Sequence, residues 1–502
     1  MGNDRRRGGG LVLLAGLAAG AAAGLALPPL GWLPLLWPAL AVLWALAGSP
    51  PSSGRPAAAS AFLWGLAAVL ASHRWLLWLH PLDWIGVPAP LSLPLCLLLW
   101  LLVGSCGGLL VGLWLLLMRR LDATRPATAL LGAALWGLAE VGLARGPLFW
   151  IGLGAAPLPL ARPLAGLAAV GGAGLVACLQ LAIGWALWRA AVAPSRRRSA
   201  LALGVGLVVV GHLGGVVALA AAAGEAGPAE RLLVLQPAIP TRRKFSAEEQ
   251  RRLLLQLGQA QAQLAAAAEA GSAGVSSLLL PEGSLNNGQP LPAPAPVEVL
   301  SGGFRQEGPD LRSSLLRFAV GSREPEGWVD KHRVVPLGEW VPLAGLLRWS
   351  GLSAVGGVEP GPASRLRERP AGAVGVAICY ELSNGSALAA ASRDGALWLL
   401  ASANLDPYPA LLQGQFEALA QLRAIESGRW LVSAANTGPS LVVDATGELR
   451  QRLPAGRSAS AVMTVHQRTA LTPYARWGEL PLGALALLGA GLRLSGSRPQ
   501  RP

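Results

Sequence analysis

Val374-Gly-Val-Ala-Ile-Cys-Tyr-Glu381 is a short apolar run that ends in a thiol and a carboxylate. Five small or apolar residues in succession describe a buried strand. The chain has four cysteines; Cys96, Cys106 and Cys178 lie inside long apolar runs, so Cys379 alone belongs to the water-facing half. With no disulfide partner and no ligand set for a metal, a lone thiol at a strand's end is placed for chemistry. Lysine usage points the same way. Only Lys244 and Lys331 occur, against thirty-nine arginines, so something more particular than basicity keeps an ammonium at Lys331.

Around this run, short strands alternate with helices. Strands are predicted at 231–236, 275–280, 315–320, 373–379, 396–402, 430–434, 440–443 and 461–465. Ser246-Ala-Glu-Glu249 is a capping box that opens a helix to about 270, and a second helix is predicted at 411–427. The alternation specifies a layered α/β domain of about 250 residues, large enough for its own core. Pro/Gly-rich stretches at 286–309 and 356–372 read as long loops, the kind that serve as lids or binding elements.

The rest of the chain is of another character. Of 502 residues 53% are hydrophobic, and the apolar residues concentrate in the first 223 positions with one block near the end; mean hydropathy is +0.46. A spanning helix needs roughly 20 predominantly apolar residues. Seven candidate spans precede the α/β region, at about 9–27, 29–47, 57–79, 91–118, 127–144, 163–189 and 200–223, and an eighth lies at about 479–494. Arginines at 5–7, 55, 119, 120, 125, 189, 196–198, 493, 498 and 501 fall in alternate loops, on one side, as the positive-inside rule requires of a chain with both termini in the cytoplasm. The first run lacks a small-residue cleavage site before Pro28-Pro29 and reads as a span, not a signal peptide. The net charge of +14 is explained by these topogenic loops, so nucleic-acid binding does not follow from it. Glycines at 16, 20 and 24, and at 108 and 112, have the spacing of close helix contact. The expected domains are a membrane part at 1–224, an extracytoplasmic α/β part at 225–477, and a closing span with a cytoplasmic tail at 478–502.

Three segments carry the chemistry. Leu278-Leu-Leu-Pro-Glu282 delivers a carboxylate at a strand's carboxyl edge, where α/β domains build sites. Trp328-Val-Asp-Lys331 leads into His-Arg-Val-Val-Pro-Leu-Gly-Glu339-Trp340-Val-Pro342, and the third is Cys379-Tyr380-Glu381. Singly each has a plain structural reading, as solvated turn, surface pair or small buried hydrophobe. Taken together, Glu, Lys and Cys in this order resemble the triad of the nitrilase, or carbon–nitrogen hydrolase, superfamily, whose fold is an αββα sandwich. Flanking segments narrow the resemblance to the apolipoprotein N-acyltransferase family. They are Lys331 to Pro342, Ile378-Cys-Tyr-Glu381, Arg423-Ala-Ile-Glu-Ser-Gly-Arg429, Ala435-Asn-Thr-Gly438 and Thr472-Pro-Tyr-Ala-Arg-Trp-Gly478, with Glu140, Arg145, Phe149-Trp150 and Pro163-Leu-Ala-Gly166 in the membrane part.

The resemblance implies a nucleophile at Cys379, a general base at Glu282 and an oxyanion donor at Lys331, alongside the Tyr380 backbone N–H. Glu339, Tyr380 and Glu381 would orient Lys331 and shape the local field, and Phe245, Trp340 and Asn404 would contact substrate. The implied acyl donor is a membrane phospholipid and the acceptor the N-terminal cysteine amine of a diacylglyceryl apolipoprotein. No cofactor, metal or nucleic acid is implied, and the enzyme would work as a monomer in the bacterial inner membrane with its catalytic part on the periplasmic side. Trp84, Trp150, Trp340 and Trp477 are candidates for headgroup level, with ordinary packing as the alternative. His332, next to Lys331, points to the opposite face of a strand and is expected to be structural. Two departures from the family pattern stand out: Phe245 replaces a Trp, and Leu405-Asp-Pro-Tyr408 replaces Asp, a small residue, Trp and Phe. Two rival functions use the same features, a membrane-anchored amidase that passes the acyl group to water, and a transporter or receptor with an outer binding domain. Few ionisable residues in the spans, Glu140 and Arg74 being the notable ones, weigh against transport.

Overall fold

A computed structural model describes residues 2–50, 53–83, 87–224, 227–244, 246–271, 274–336, 339, 357–406 and 408–495. Phe245, Trp340 and Trp84, singled out above, lie outside the described residues.

Among the described residues, five helices are long and apolar enough to cross a membrane: Gly54–Ser72, Ala89–Arg120, Pro126–Arg145, Ala168–Val192 and Pro194–Ala223. Three shorter apolar helices, Gly9–Leu25, Leu33–Ala47 and Leu480–Ser495, accompany them. In hydrocarbon only a helix satisfies its own backbone, so apolar runs of this length fold as helices whatever their periodicity. Two expected spans are interrupted. The run at 57–79 leaves the α-helix at Ser72 and continues as a 3₁₀ turn, Arg74–Leu79. The run at 163–189 divides into a short helix Arg162–Ala165 and the helix Ala168–Val192. The latter breaks at Gly171 and Gly172. Gly172 has φ +70°, and a Cβ there would lie 2.5 Å from the ring of Tyr474. The glycine spacing makes close contact in the first helix, whereas of the second pair a Cβ on Gly108 would meet Phe62 and one on Gly112 nothing within 4 Å. Cβ atoms at Gly16, Gly20 and Gly24 would lie 2.4, 2.0 and 2.2 Å from the carbonyl oxygens of Ser60, Trp64 and Ala68, so two helices touch backbone to backbone.

Beyond the helices the chain forms two six-stranded sheets. The first runs in the order β12-β1-β2-β3-β4-β5: β1 is Ala229–Gln236, β2 Ser277–Leu285, β3 Glu298–Glu307, β4 Asp310–Phe318, β5 Gly327–Asp330 and β12 Ala459–His466. The second is β11-β10-β9-β8-β7-β6: β6 is Leu366–Arg367, β7 Val374–Ile378, β8 Trp398–Ala403, β9 Leu431–Ala435, β10 Leu441–Val443 and β11 Leu449–Arg452. Leu232, Val234, Leu279, Leu300, Val376, Ile378, Leu400, Val432 and Val465 pack between the sheets. The helix Ala247–Glu269 covers the outer face of the first through Leu253, Leu257 and Leu264. Half of the capping box forms: Ser246 accepts from the Glu249 N–H at 3.3 Å, while the Ser246 N–H donates to Arg243 O in place of the Glu249 side chain. Ala410–Ser427 covers the second through Leu412, Phe416, Leu419 and Ile425. The order helix, sheet, sheet, helix is the layered α/β arrangement expected.

The two expected loops are corrected in part. Residues 298–307 of the first are β3, with β2 parallel on one side and β4 antiparallel on the other, and the second contributes the two-residue β6. β5 and β11 were not read as strands. The helix layer on the second sheet has a second neighbour: Trp75, Phe149, Ile151, Leu158, Ala165 and Val176 belong to its core. The α/β part thus rests on the membrane part through the flank of its own fold.

Candidate active site

The site assembles where chains leave the two sheets. Glu282 lies on β2, drawn against β3 because position 302 has no side chain: a Cβ on Gly302 would sit 2.4 Å from the Glu282 Cα. Lys331 follows β5 directly, its N–H bonded to Ser313 O at 2.8 Å and its carbonyl to the Gly361 N–H at 2.8 Å. Cys379 follows β7 with φ +55°, in the left-handed region where a side chain is strained. Such strain persists only where the surroundings fix it. Here Glu381 does so. Its Oε2 accepts from the Ile378 N–H at 2.9 Å, and its Oε1 from the N–H groups of His332 at 2.8 Å and Arg333 at 3.0 Å. Arg365 Nη1 donates to both oxygens at 3.1 and 3.0 Å. Glu381 is 4% exposed, so its pairing with Arg365 is a buried one. One carboxylate therefore ties the turn carrying the thiol to the segment carrying the lysine.

The Lys331 ammonium lies between two carboxylates, 2.7 Å from Glu282 Oε1 and 2.7 Å from Glu339 Oε1, and the residue is 1% exposed. Glu339 Oε2 accepts from the Val335 N–H at 2.8 Å. Glu282 Oε2 accepts from the Asn404 N–H at 3.0 Å, and the Glu282 carboxylate lies close enough to the Cys379 thiol to raise it. Tyr380 donates to Val334 O at 2.8 Å, and its ring lies under the Arg333 guanidinium at 4.7 Å. The Asn404 side chain faces the framework, donating to Thr241 Oγ1 at 2.8 Å and accepting from Asn436 Nδ2 at 2.9 Å. His332 is outside this cluster, with Nδ1 against Gly361 O at 2.7 Å.

Electrostatics assign the resting protons. Burial works to raise the Glu282 carboxyl, but the Lys331 ammonium, together with Lys244 and the Asn404 N–H, outweighs it and holds the group below the ordinary carboxylate range. At Glu339 burial prevails over Lys331 and, with the Glu282 charge, raises the carboxyl. Burial lowers the Lys331 ammonium, yet Glu282 and Glu339 more than offset that and leave it well above the usual lysine value. Burial raises the Cys379 thiol, Glu282 and Glu339 add to it, and Lys331 compensates only partly. The resting constellation is an ionised carboxylate, an ammonium and a neutral thiol. That is suited to attack with general-base removal of the thiol proton, not to a standing thiolate.

Sequence reasoning missed Lys244. Its side chain is buried, and Nζ donates to Glu282 O at 2.8 Å. The signal was available: the rarity of lysine applies to Lys244 as much as to Lys331. It also missed an aromatic file in which Tyr408, close enough to interact with Cys379, meets Trp75 at 5.5 Å, Trp75 meets Phe149 at 5.7 Å, and Phe149 stacks on Phe416 at 5.4 Å. Among the described residues no group of three or more His, Cys, Asp or Glu side chains is placed to hold a metal ion.

A thiol, a carboxylate and an ammonium gathered at the ends of two sandwiched sheets define a carbon–nitrogen hydrolase, and residues 330–471 match the family of that name. Residues 19–186 match the apolipoprotein N-acyltransferase N-terminal domain. The apolipoprotein N-acyltransferase of Prochlorococcus marinus (strain MIT 9313) is 48% identical over 98% of this chain and 97% of its own. That of Parasynechococcus marenigrum (strain WH8102) is 48% identical over 92% of this chain and 96% of its own. Among solved structures, Saccharomyces cerevisiae Nit3, a member of branch 10 of the nitrilase superfamily, matches with 12% identity over 54% of this chain and 96% of its own, at TM-score 0.36. The chain belongs to the apolipoprotein N-acyltransferase family.

Proposed function

We propose that this protein N-acylates lipoproteins in two half-reactions at Cys379. In the first, Glu282 takes the thiol proton as sulfur attacks an ester carbonyl of a membrane phospholipid. Lys331 and the Tyr380 N–H hold the oxyanion. Glu282 returns the proton to the leaving alcohol, giving a thioester and a lysophospholipid. In the second, the α-amino group of a diacylglyceryl-cysteine attacks the thioester, Glu282 takes its proton, and the thiol is regenerated. Glu339 steadies Lys331, Glu381 steadies the Cys379 turn, and Tyr380 buttresses both.

The observation that carries this reading is the Glu282–Lys331–Cys379 cluster in a chain that matches N-acyltransferases over nearly its full length. Placement follows from charge and parity: eight crossings, with the arginine-rich loops in the cytoplasm and the α/β part, residues 225–477, on the periplasmic side of the inner membrane. Both substrates are anchored in lipid, so a site held at the membrane boundary meets them without extracting either. The aromatic file from Tyr408 to the membrane part gives an acyl chain an apolar wall. A single chain contains every group the two steps use.

The test is mass spectrometry of a membrane lipoprotein N-terminus from cells with and without the gene product. The amide-linked acyl group should be present only with it. Free fatty acid released with no gain on the lipoprotein would instead assign water as acceptor.

A further inference from the structure

Lys244 is built into the site more firmly than a chance neighbour. Its carbonyl accepts from Gln250 Nε2 at 2.7 Å and its N–H donates to Thr241 O at 3.2 Å, so the backbone is fixed from both sides. Nζ donates to the main-chain carbonyl of Glu282, the residue whose carboxylate meets both Lys331 and Cys379. The next residue, Gly283, has φ +64°, and a Cβ on it would lie 2.5 Å from Nζ. The strand end is therefore shaped around the ammonium, and any side chain at 283 would displace it.

The groups facing Nζ come from four elements: Glu282 on β2, Lys331 after β5, Cys379 after β7, and Asp406 in the segment after β8, whose Oδ2 accepts from the Thr241 N–H at 2.6 Å. Two carboxylates, Glu282 and Glu339, crowd the thiol with only Lys331 directly between them. Negative charge that develops during thiol attack appears where two negative charges already stand. A second buried cation on the Glu282 backbone answers that need at a distance where it does not neutralise the base by direct pairing.

We propose that Lys244 is a positioning residue of the acylation step: its ammonium locks the strand end that aims Glu282 and supplies the second positive charge against which the transition state forms. This rests on the thioester reading above. Burial, and secondarily repulsion by Lys331, prevails over attraction to Glu282 and Asp406 and leaves Lys244 lowered to about 8, so its charge is present below that pH and fades above it.

The experiment is single-turnover labelling of Cys379 in the full-length protein, in mixed micelles with a radiolabelled phospholipid and no amine acceptor, from about pH 6 to 10. The parent rate should fall as pH rises through about 8. Lys244→Met should be about 10- to 100-fold slower at neutral pH, with half-saturating phospholipid unchanged, and should lack the alkaline fall. Lys244→Arg, whose charge does not titrate in this range, should also run level whatever its amplitude. Partial misfolding scales a whole profile and leaves its shape intact, so a purely structural lysine would leave the fall near pH 8 in the residual activity of both variants. That result, or a parent profile with no fall between pH 7 and 9, overturns the proposal. A parent that takes up no label overturns the thioester reading beneath it; label in the parent with an unchanged Lys244→Met rate overturns this inference alone.

Discussion

Lys331→Met removes a cation that two buried carboxylates share at 2.7 Å each. Breaking one side of a buried pair costs about 3–5 kcal/mol when the other charge stays behind unpaired. Glu282 and Glu339 escape that cost by taking up a proton. Lys331 is the largest of the influences that hold Glu282 below the ordinary range, with Lys244 and the Asn404 N–H behind it, so without it burial has less set against it and the group moves upward. The base is then partly protonated near pH 7. Two losses multiply: an oxyanion donor, worth about 10²–10³ in kcat, and the ionised fraction of the base, about tenfold for each 1.36 kcal/mol of lost stabilisation. The expected deficit in Cys379 acylation is roughly 10³–10⁴-fold. Its sign with pH is fixed: residual activity rises as pH rises through the raised Glu282 value. Lys244 does not mask this, because losing Lys331 relieves it of a repulsion and keeps it charged to higher pH. Acid-quenched label incorporation, followed from about pH 6 to 9, measures both. A deficit under about tenfold, or a residual rate flat with pH, would refute the assignment of base and donor.

Three further outcomes are expected. Cys379→Ala should abolish hydroxylamine-labile label, and Cys379→Gly, inactive as well, should be the more stable of the two by about 1 kcal/mol because only glycine adopts φ +55° without strain; equal melting temperatures would deny that the turn is strained. Glu381→Gln leaves the buried Arg365 without its charge partner and sets an amide N–H₂ against backbone donors, so melting should fall by roughly 6–20 °C, about 3–5 kcal/mol at 2–4 °C each, with acylation slowed; a change under about 2 °C would show that the clamp is not structural. Reporter fusions near residues 230 and 500 should signal opposite sides of the membrane; signals from one side would invert or break the topology.

The constellation was legible because its three members occur in unusual settings: one thiol outside apolar runs, one of two lysines, one carboxylate at the end of a leucine run. The strands around them were legible where burial is continuous, as at β7 and β8. β3 was hidden for a reason that the site explains. Its Gly302-Gly303 pair, following prolines, has the composition of a loop, yet a side chain at 302 would push Glu282 away. Local propensity was given up there to bring a carboxylate close, and a reading by propensity registers only the loss. β5 and β6 are too short to show alternation. Lys244 went unread because its role runs through a main-chain carbonyl, and nothing in the spacing of side chains signals a bond to backbone.

Both halves of the molecule are closed by segments that lie far along the chain from their partners. β12 pairs with β1 across more than two hundred positions, and in the helix Leu480–Ser495, Gly489 packs against Leu131 while Leu482 is buried beside Gly137 and Gly174. Contacts of such separation form late, since the loop between them must be closed before they contribute. The early helices therefore wait with an open seam while the whole α/β part is synthesised. A chain cut before β12 leaves the sandwich without its edge strand, and one cut before Leu480–Ser495 leaves the bundle without its closing helix.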